Sequence, residues 1–261
     1  MKPLVKALIA GGSLILVGVI ILLIALGLNG WTLKADFTTE EFVAEQENDK
    51  VVVENSVGSV KINYYDGDKV QISYPEAKNY SYNISEKDGT VRISGPKPHW
   101  YEFSIWWADV PEMVINLPKA KTFDLTLTVN AGSLRLYDGK YSAIHVTVNA
   151  GTLNASSVEC DTFNATVNAG SMQINKLNCH TSFNGEVNAG SLSAKEVTCP
   201  KINAEVNAGS LSMKIDGAKS EYTIQTHVSA GSSNISNQTG TTDKKITADV
   251  SAGSLNISFT S

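Results

Sequence analysis

One short phrase recurs through the second half of the chain and limits it to a narrow set of folds. Val-Asn-Ala-Gly-Ser/Thr-Leu, or a close variant, begins at Val129, Val148, Val167, Val187, Val206, Val228 and Val250. Its glycines, Gly132, Gly151, Gly170, Gly190, Gly209, Gly231 and Gly253, are spaced 19, 19, 20, 19, 22 and 22 residues apart. A weaker copy lies upstream, from Asn55 to Ile62. Near-copies at a fixed short period mark a unit that buries its apolar side only by stacking on its neighbours. The period of about 19 is too short for a helical hairpin, and no leucine-rich pattern is present, so each copy reads as one circuit of short strands and corners.

Residue columns agree with that circuit. Four places before each motif valine stand Leu125, Ile144, Phe163, Phe183, Ile202, Ile224 and Ile246, and two places before it Leu127, Val146, Ala165, Gly185, Ala204, Thr226 and Ala248. Polar residues separate them, so the alternation predicts a strand with one buried and one wet face. After the glycine a second alternation begins (Leu134/Leu136 to Leu255/Ile257), and the middle copies add a third: Val158/Cys160, Leu177/Cys179 and Val197/Cys199. The expected fold is all-β, a parallel β-helix of about 19–22 residues per coil over 121–261. At about 4.8 Å per coil it forms a rod roughly 35 Å long.

The motif reads as architecture. Glycine is expected to supply the left-handed backbone of a sharp corner. The stacked Asn130, Asn149, Asn168, Asn188 and Asn207 are expected to hydrogen-bond as a ladder, with Ser229 and Ser251 replacing it later.

The amino terminus predicts location. A basic tail, 1–6, precedes 22 residues without charge, 7–28, and a linker, 29–50. As a helix those 22 residues span roughly 33 Å, enough to cross a hydrocarbon core of about 30 Å. Lys2 and Lys6 place the tail in the cytoplasm and the body outside it. Ala25-Leu26-Gly27 also has the small-x-small form of a cleavage site, so retention and removal both stay open.

Residues 51–120 read as the opening coil and an aromatic cap. The segment from His99 to Trp107 carries three of the four tryptophans, with Trp100 and Trp106 on one side of an alternating strand. Tyr101, Phe103, Ile105 and Trp107 face the other way. One aromatic face is expected to cover the first coil, while an exposed Trp100/Trp106 pair, with His99, is the candidate contact site for a sugar or the lipid interface. At the other end, Thr226 and Ser233 occupy normally apolar positions, as in a terminal repeat. The last coil, ending near Phe259, either presents an open end through which copies associate or is blunted by the polar residues of the last two coils.

Other chemistry is weakly represented. Net charge is −5 and the arginines are two, Arg92 and Arg135, so no basic stripe is available for nucleic acid. Cys160, Cys179 and Cys199 share one column and read as buried thiols, with a disulfide between neighbouring coils left open. Zinc ligation lacks the paired Cys or His spacing it needs, and no cofactor fingerprint occurs. Glu186, Glu205 and Asp249 form an acidic column with His227 between the last two, read as a solvated face rather than a cation site. The clustered acid and base of a polysaccharide-cleaving enzyme are missing, so catalysis is not expected.

Three features together resemble the bacterial "putative adhesin" β-strand-repeat family, a LiaG-like domain of unknown function. They are the basic tail with one span, Val114-Ile115-Asn116-Leu117-Pro118, and Phe123-Asp124-Leu125-Thr126-Leu127 leading into the first motif copy. The resemblance implies a right-handed β-helix on the outer face of a bacterial membrane, in a Gram-positive cell, linked with envelope stress. The expected role is therefore a non-enzymatic, single-pass interaction module for an envelope protein or glycan. The alternatives are a scaffold stacking through the carboxyl-terminal coil and, further off, a carbohydrate-active enzyme.

Overall fold

A computed structural model describes residues 18–24, 27–28, 36–97 and 109–260. Of the expected span 7–28, residues 18–24 and 27–28 are helical and expose Val19 to Ile24, and the rest lies outside the described residues. Among the described residues no helix is long and apolar enough to cross a membrane.

The body is all-β and solenoid-like. Through its middle, consecutive coils pair parallel and in register: Phe163 meets Phe183, and Phe183 meets Ile202. Strands Thr152–Val167 and Ser171–Val187 each run through all three sides of the circuit. The alternation explains the interior, where Ile144, Phe163, Phe183 and Ile202 are fully buried and the two phenyl rings stack 5.9 Å apart. The corners continue the ladder rather than interrupting it. Asn168 N–H donates to Val148 O, Ala169 N–H to Asn149 O and Ser171 N–H to Gly151 O at 2.7–3.0 Å.

The reason for the motif glycines differs from the expected one. Among the described residues positive φ occurs at Gly58, Gly89, Gly95, Gly217 and Asp88, and at none of the seven motif glycines. Instead, a Cβ on Gly151, Gly170, Gly190 or Gly209 would collide with the carbonyl oxygen of the glycine one coil below and with a valine methyl. Close backbone approach, not handedness, excludes a side chain there.

At both ends the spatial order departs from the sequence order. Strand Lys50–Asn55 lies between Thr90–Gly95 and Phe123–Val129. Strand Ser59–Tyr65 likewise lies between Met113–Pro118 and Ser133–Leu136. The opening coil of the sequence is thus second in the stack. Three antiparallel strands finish this end: Gln71–Glu76 on Met113–Pro118, Thr38–Val43 on Gln71–Glu76, and Asn83–Lys87 on Thr90–Gly95 through the Asp88-Gly89 turn. An aromatic group packs here, with Phe37 5.2 Å from Tyr80 and Tyr82 within 6.2 Å of Tyr74. Burial pushes the Tyr80 and Tyr82 hydroxyls up from their ordinary pKa.

At the other end, strand Lys244–Val250 pairs with Lys201–Val206 on one edge and Tyr222–Val228 on the other. Ser254–Phe259 is likewise flanked by Ser210–Ile215 and Ser232–Ser233. The expectation that Phe259 marks an open end is therefore corrected, because its coil is interior and 222–233 is outermost. The outer edge of that coil is closed in turn. Ile224 and Gln238 exchange backbone hydrogen bonds, and Asn237 Oδ1 accepts from Thr226 N–H at 2.6 Å.

Candidate functional site

The wet sides of the rod differ in chemistry. On the side that follows the motif glycines, Thr152, Ser171, Ser191, Ser210 and Ser254 line up in register as a neutral hydroxyl column. On the Cys-bearing side, polar groups pair across coils: Lys140 forms an ion pair with Glu159 at 3.0 Å, and His180 Nδ1 lies in hydrogen-bond contact with Asp161 Oδ1 at 3.2 Å.

The side that precedes the motif carries two amide columns with an acidic column between them. In the ladder read from the sequence, Nδ2 of Asn149, Asn168, Asn188 and Asn207 each donates to Oδ1 of the asparagine below, at 2.6, 2.6, 2.9 and 2.8 Å. A second ladder, not foreseen, joins Asn203 to Asn184 and Asn184 to Asn164 at 2.6 Å, and ends in an Asn164–His145 contact of 3.2 Å. Its signal lay in the sequence as three asparagines at one outward position.

Glu186 pairs in register with Glu205, Glu205 with Asp249, and Asp249 with His227. His227 therefore lies beyond Asp249 and not between the two acids, a direct result of the exchanged order of the last coils. Among the described residues none of these three carboxylates has a basic partner within ion-pair distance. Like charges facing each other across strands repel. The amides offset part of this, with Asn188 Nδ2 donating to Glu186 at 3.1 Å and Asn207 Nδ2 to Glu205 at 3.4 Å. Asn188 and Asn207 thus each hold both a neighbouring asparagine and a carboxylate.

Between the second ladder and the acids runs a shallow groove of about 480 Å³. Its floor is the strand segment through Ala165, Gly185 and Ala204, and at Gly185 an added Cβ would run into the Phe183 ring beneath. Among the described residues no group of three His, Cys, Asp or Glu could hold a metal ion.

Cys160, Cys179 and Cys199 are unpaired thiols about 1% exposed, with Sγ of the first two 3.6 Å apart. Hydrogen bonding with Cys160 and Cys199, and then burial, push the Cys179 thiol up, away from the reactive thiolate. His99, Trp100 and Trp106, the candidate contact residues, lie outside the described residues.

The family model described as Toastrack DUF4097 matches residues 48–261. The chain belongs to the Toastrack DUF4097 family. This bears out the resemblance read from the sequence, and the matched segment contains every strand of the solenoid's parallel stack. No curated protein matches the Toastrack chain by sequence. Solved structures similar to it include a "putative adhesin" from Bacteroides fragilis, with 13% identity, 85% of this chain and 97% of that one covered, and a TM-score of 0.43. A "putative lipid binding protein" from Parabacteroides distasonis shows 14% identity, coverage of 85% and 96%, and a TM-score of 0.45. A "putative cell adhesion protein" from Clostridium sporogenes shows 15% identity, coverage of 86% and 100%, and a TM-score of 0.29.

Proposed function

We propose that this Toastrack chain is a non-enzymatic, membrane-tethered interaction module of the bacterial cell envelope. In this reading the apolar segment 7–28 anchors it with the tail inside, and a right-handed solenoid stands outside the membrane. The partner is an envelope protein or glycan that offers hydrogen-bond donors and positive charge to the amide- and acid-lined side. The observation that supports this most is the groove over Ala165, Gly185 and Ala204. Its walls are side chains already held in place by hydrogen bonds from coil to coil, so little ordering is lost on binding. Electrostatic complementarity would then favour basic or amine-bearing partners over acidic ones.

Co-sedimentation of the full chain in vesicles with isolated cell-wall and envelope-protein fractions tests the reading. Replacing Glu186→Gln and Glu205→Gln removes charge but keeps shape, and should weaken association roughly tenfold while unfolding stays unchanged. Full association by the folded double variant rules out this face, and turnover of the glycan fraction rules out a non-enzymatic role.

A further inference from the structure

Residues 244–259 follow 222–233 in the sequence but precede them in the stack. They are paired on both edges: Val250 faces Val206 on one side and Val228 on the other. The corner amides show the same order, with Ser251 N–H donating to Val206 O and Ser229 N–H to Val250 O, both at 2.9 Å. Among the described residues no strand pairing joins 201–206 directly to 222–228. One long side chain reaches across, Tyr222, whose hydroxyl donates to Cys199 O at 2.9 Å.

The composition of the two coils accounts for the order. The inserted coil is apolar at every inward position, and Ile246, Ala248, Val250, Leu255 and Ile257 are at most 2% exposed. The outer coil carries Thr226 and Ser233 at the matching places. Outermost, Ser233 Oγ bonds to Ile235 O at 3.3 Å, and Thr226 borders a cavity of about 300 Å³. Among the described residues Thr226 Oγ1 is thus buried without a partner in the outer seat too. The difference rests on Ser233, whose hydroxyl is satisfied by the turn to Ile235 and would lose that partner between two apolar coils.

We infer that residues 244–259 are a keystone. The coil 222–235 has no seat on the rod until the keystone fills the slot above 201–215, so the two coils dock in the reverse of their sequence order. The cap formed by Ile235, Asn237 and Gln238 closes only after that. The end of the rod is therefore conditional on a segment that the chain supplies later, and the 222–235 coil stays open while 244–259 is unplaced.

Hydrogen exchange on two full-length variants tests this, with amides of 163–187 as the internal reference. Ile246→Asp, in the keystone, should lower protection at least tenfold in both 244–250 and 222–228. Ile224→Asp, in the outer coil, should lower it in 222–228 alone and leave 244–250 as protected as before. Retained protection of 222–228 in the first variant, or loss at 244–250 in the second, overturns the keystone. Should Ile246→Asp also strip the reference amides, the Ile224→Asp result decides the matter by itself.

Discussion

The middle coils and the two ends obey different rules. From about 139 to 206, neighbours in sequence are neighbours in space, equivalent residues of successive coils lie on one another, and the corner glycines touch backbone to backbone. At each end the chain passes over one coil, builds the outermost layer, and stays tied to the stack on both sides of it. The middle is held by repetition, so any residue there is constrained by the copies above and below. The ends are held by unlike contacts: the Phe37–Tyr80–Tyr82 group at one, and the Asn237 and Gln238 backbone cap at the other. A repeat supplies cohesion along the rod but no instruction for stopping it. Stopping needs residues that break the pattern.

The largest effect that could break this comparison concerns glycine. Gly190→Ala should cost about 3 kcal/mol, because overpacking here pushes on a carbonyl oxygen that cannot yield. Gly89→Ala, in the end hairpin at φ +70, meets only Asp49 Oδ1 at 3.3 Å and should cost about 1 kcal/mol of backbone strain. Urea midpoints measure both, and equal losses would mean that close stacking is not what the motif glycines provide.

A smaller effect sharpens the contrast between ladder and end. Asn168→Ala leaves Asn149 Oδ1 without its donor and removes the acceptor of Asn188, so about 1–2 kcal/mol should be lost. Ser229→Ala, at the same position in the outermost coil, should stay within about 0.5 kcal/mol. A harmless Asn168→Ala would reduce the ladder to decoration.

The smallest effect is a pH response at the amino-terminal end. Partial burial works against ionisation of Glu86, but hydrogen bonds from Asn48 Nδ2 and from the Glu45 and Gln46 amides hold its carboxyl below the ordinary 4.5. A depressed folded pKa gives stability that is present above the ordinary value and is lost as pH falls through the depressed one. Exchange at 45–48 should therefore quicken below about pH 4.5 while 163–187 stays protected. Glu86→Gln should remove that acid-dependent step, and a uniform loss along the rod would contradict the assignment.

The sequence discloses the coil but not the stack. Period and alternation were enough to place Phe163 over its neighbour and to align the asparagines, because both follow from chain geometry repeated without change. Order at the ends was hidden for a physical reason. Every coil shows the same inward alternation, so period and pattern alone do not say which of 222–233 and 244–259 fills the slot above Val206. Only Thr226 and Ser233 tell them apart, and they were legible as terminal residues without revealing that the terminus is not last in sequence. The position of His227 went wrong for the same reason. The groove was half legible, its acids visible as a column and its amide wall overlooked, because outward asparagines in a polar chain look like ordinary solvation.

Through-hydrogen-bond scalar couplings, which report amide–carbonyl partners directly, test the central claim most directly. Coupling of Asn168 N–H to the Val148 carbonyl, of Ser251 N–H to Val206 and of Ser229 N–H to Val250 is predicted. Coupling of Ser229 N–H to the Val206 carbonyl would contradict the exchanged order, and antiparallel partners within 139–206 would contradict the solenoid itself.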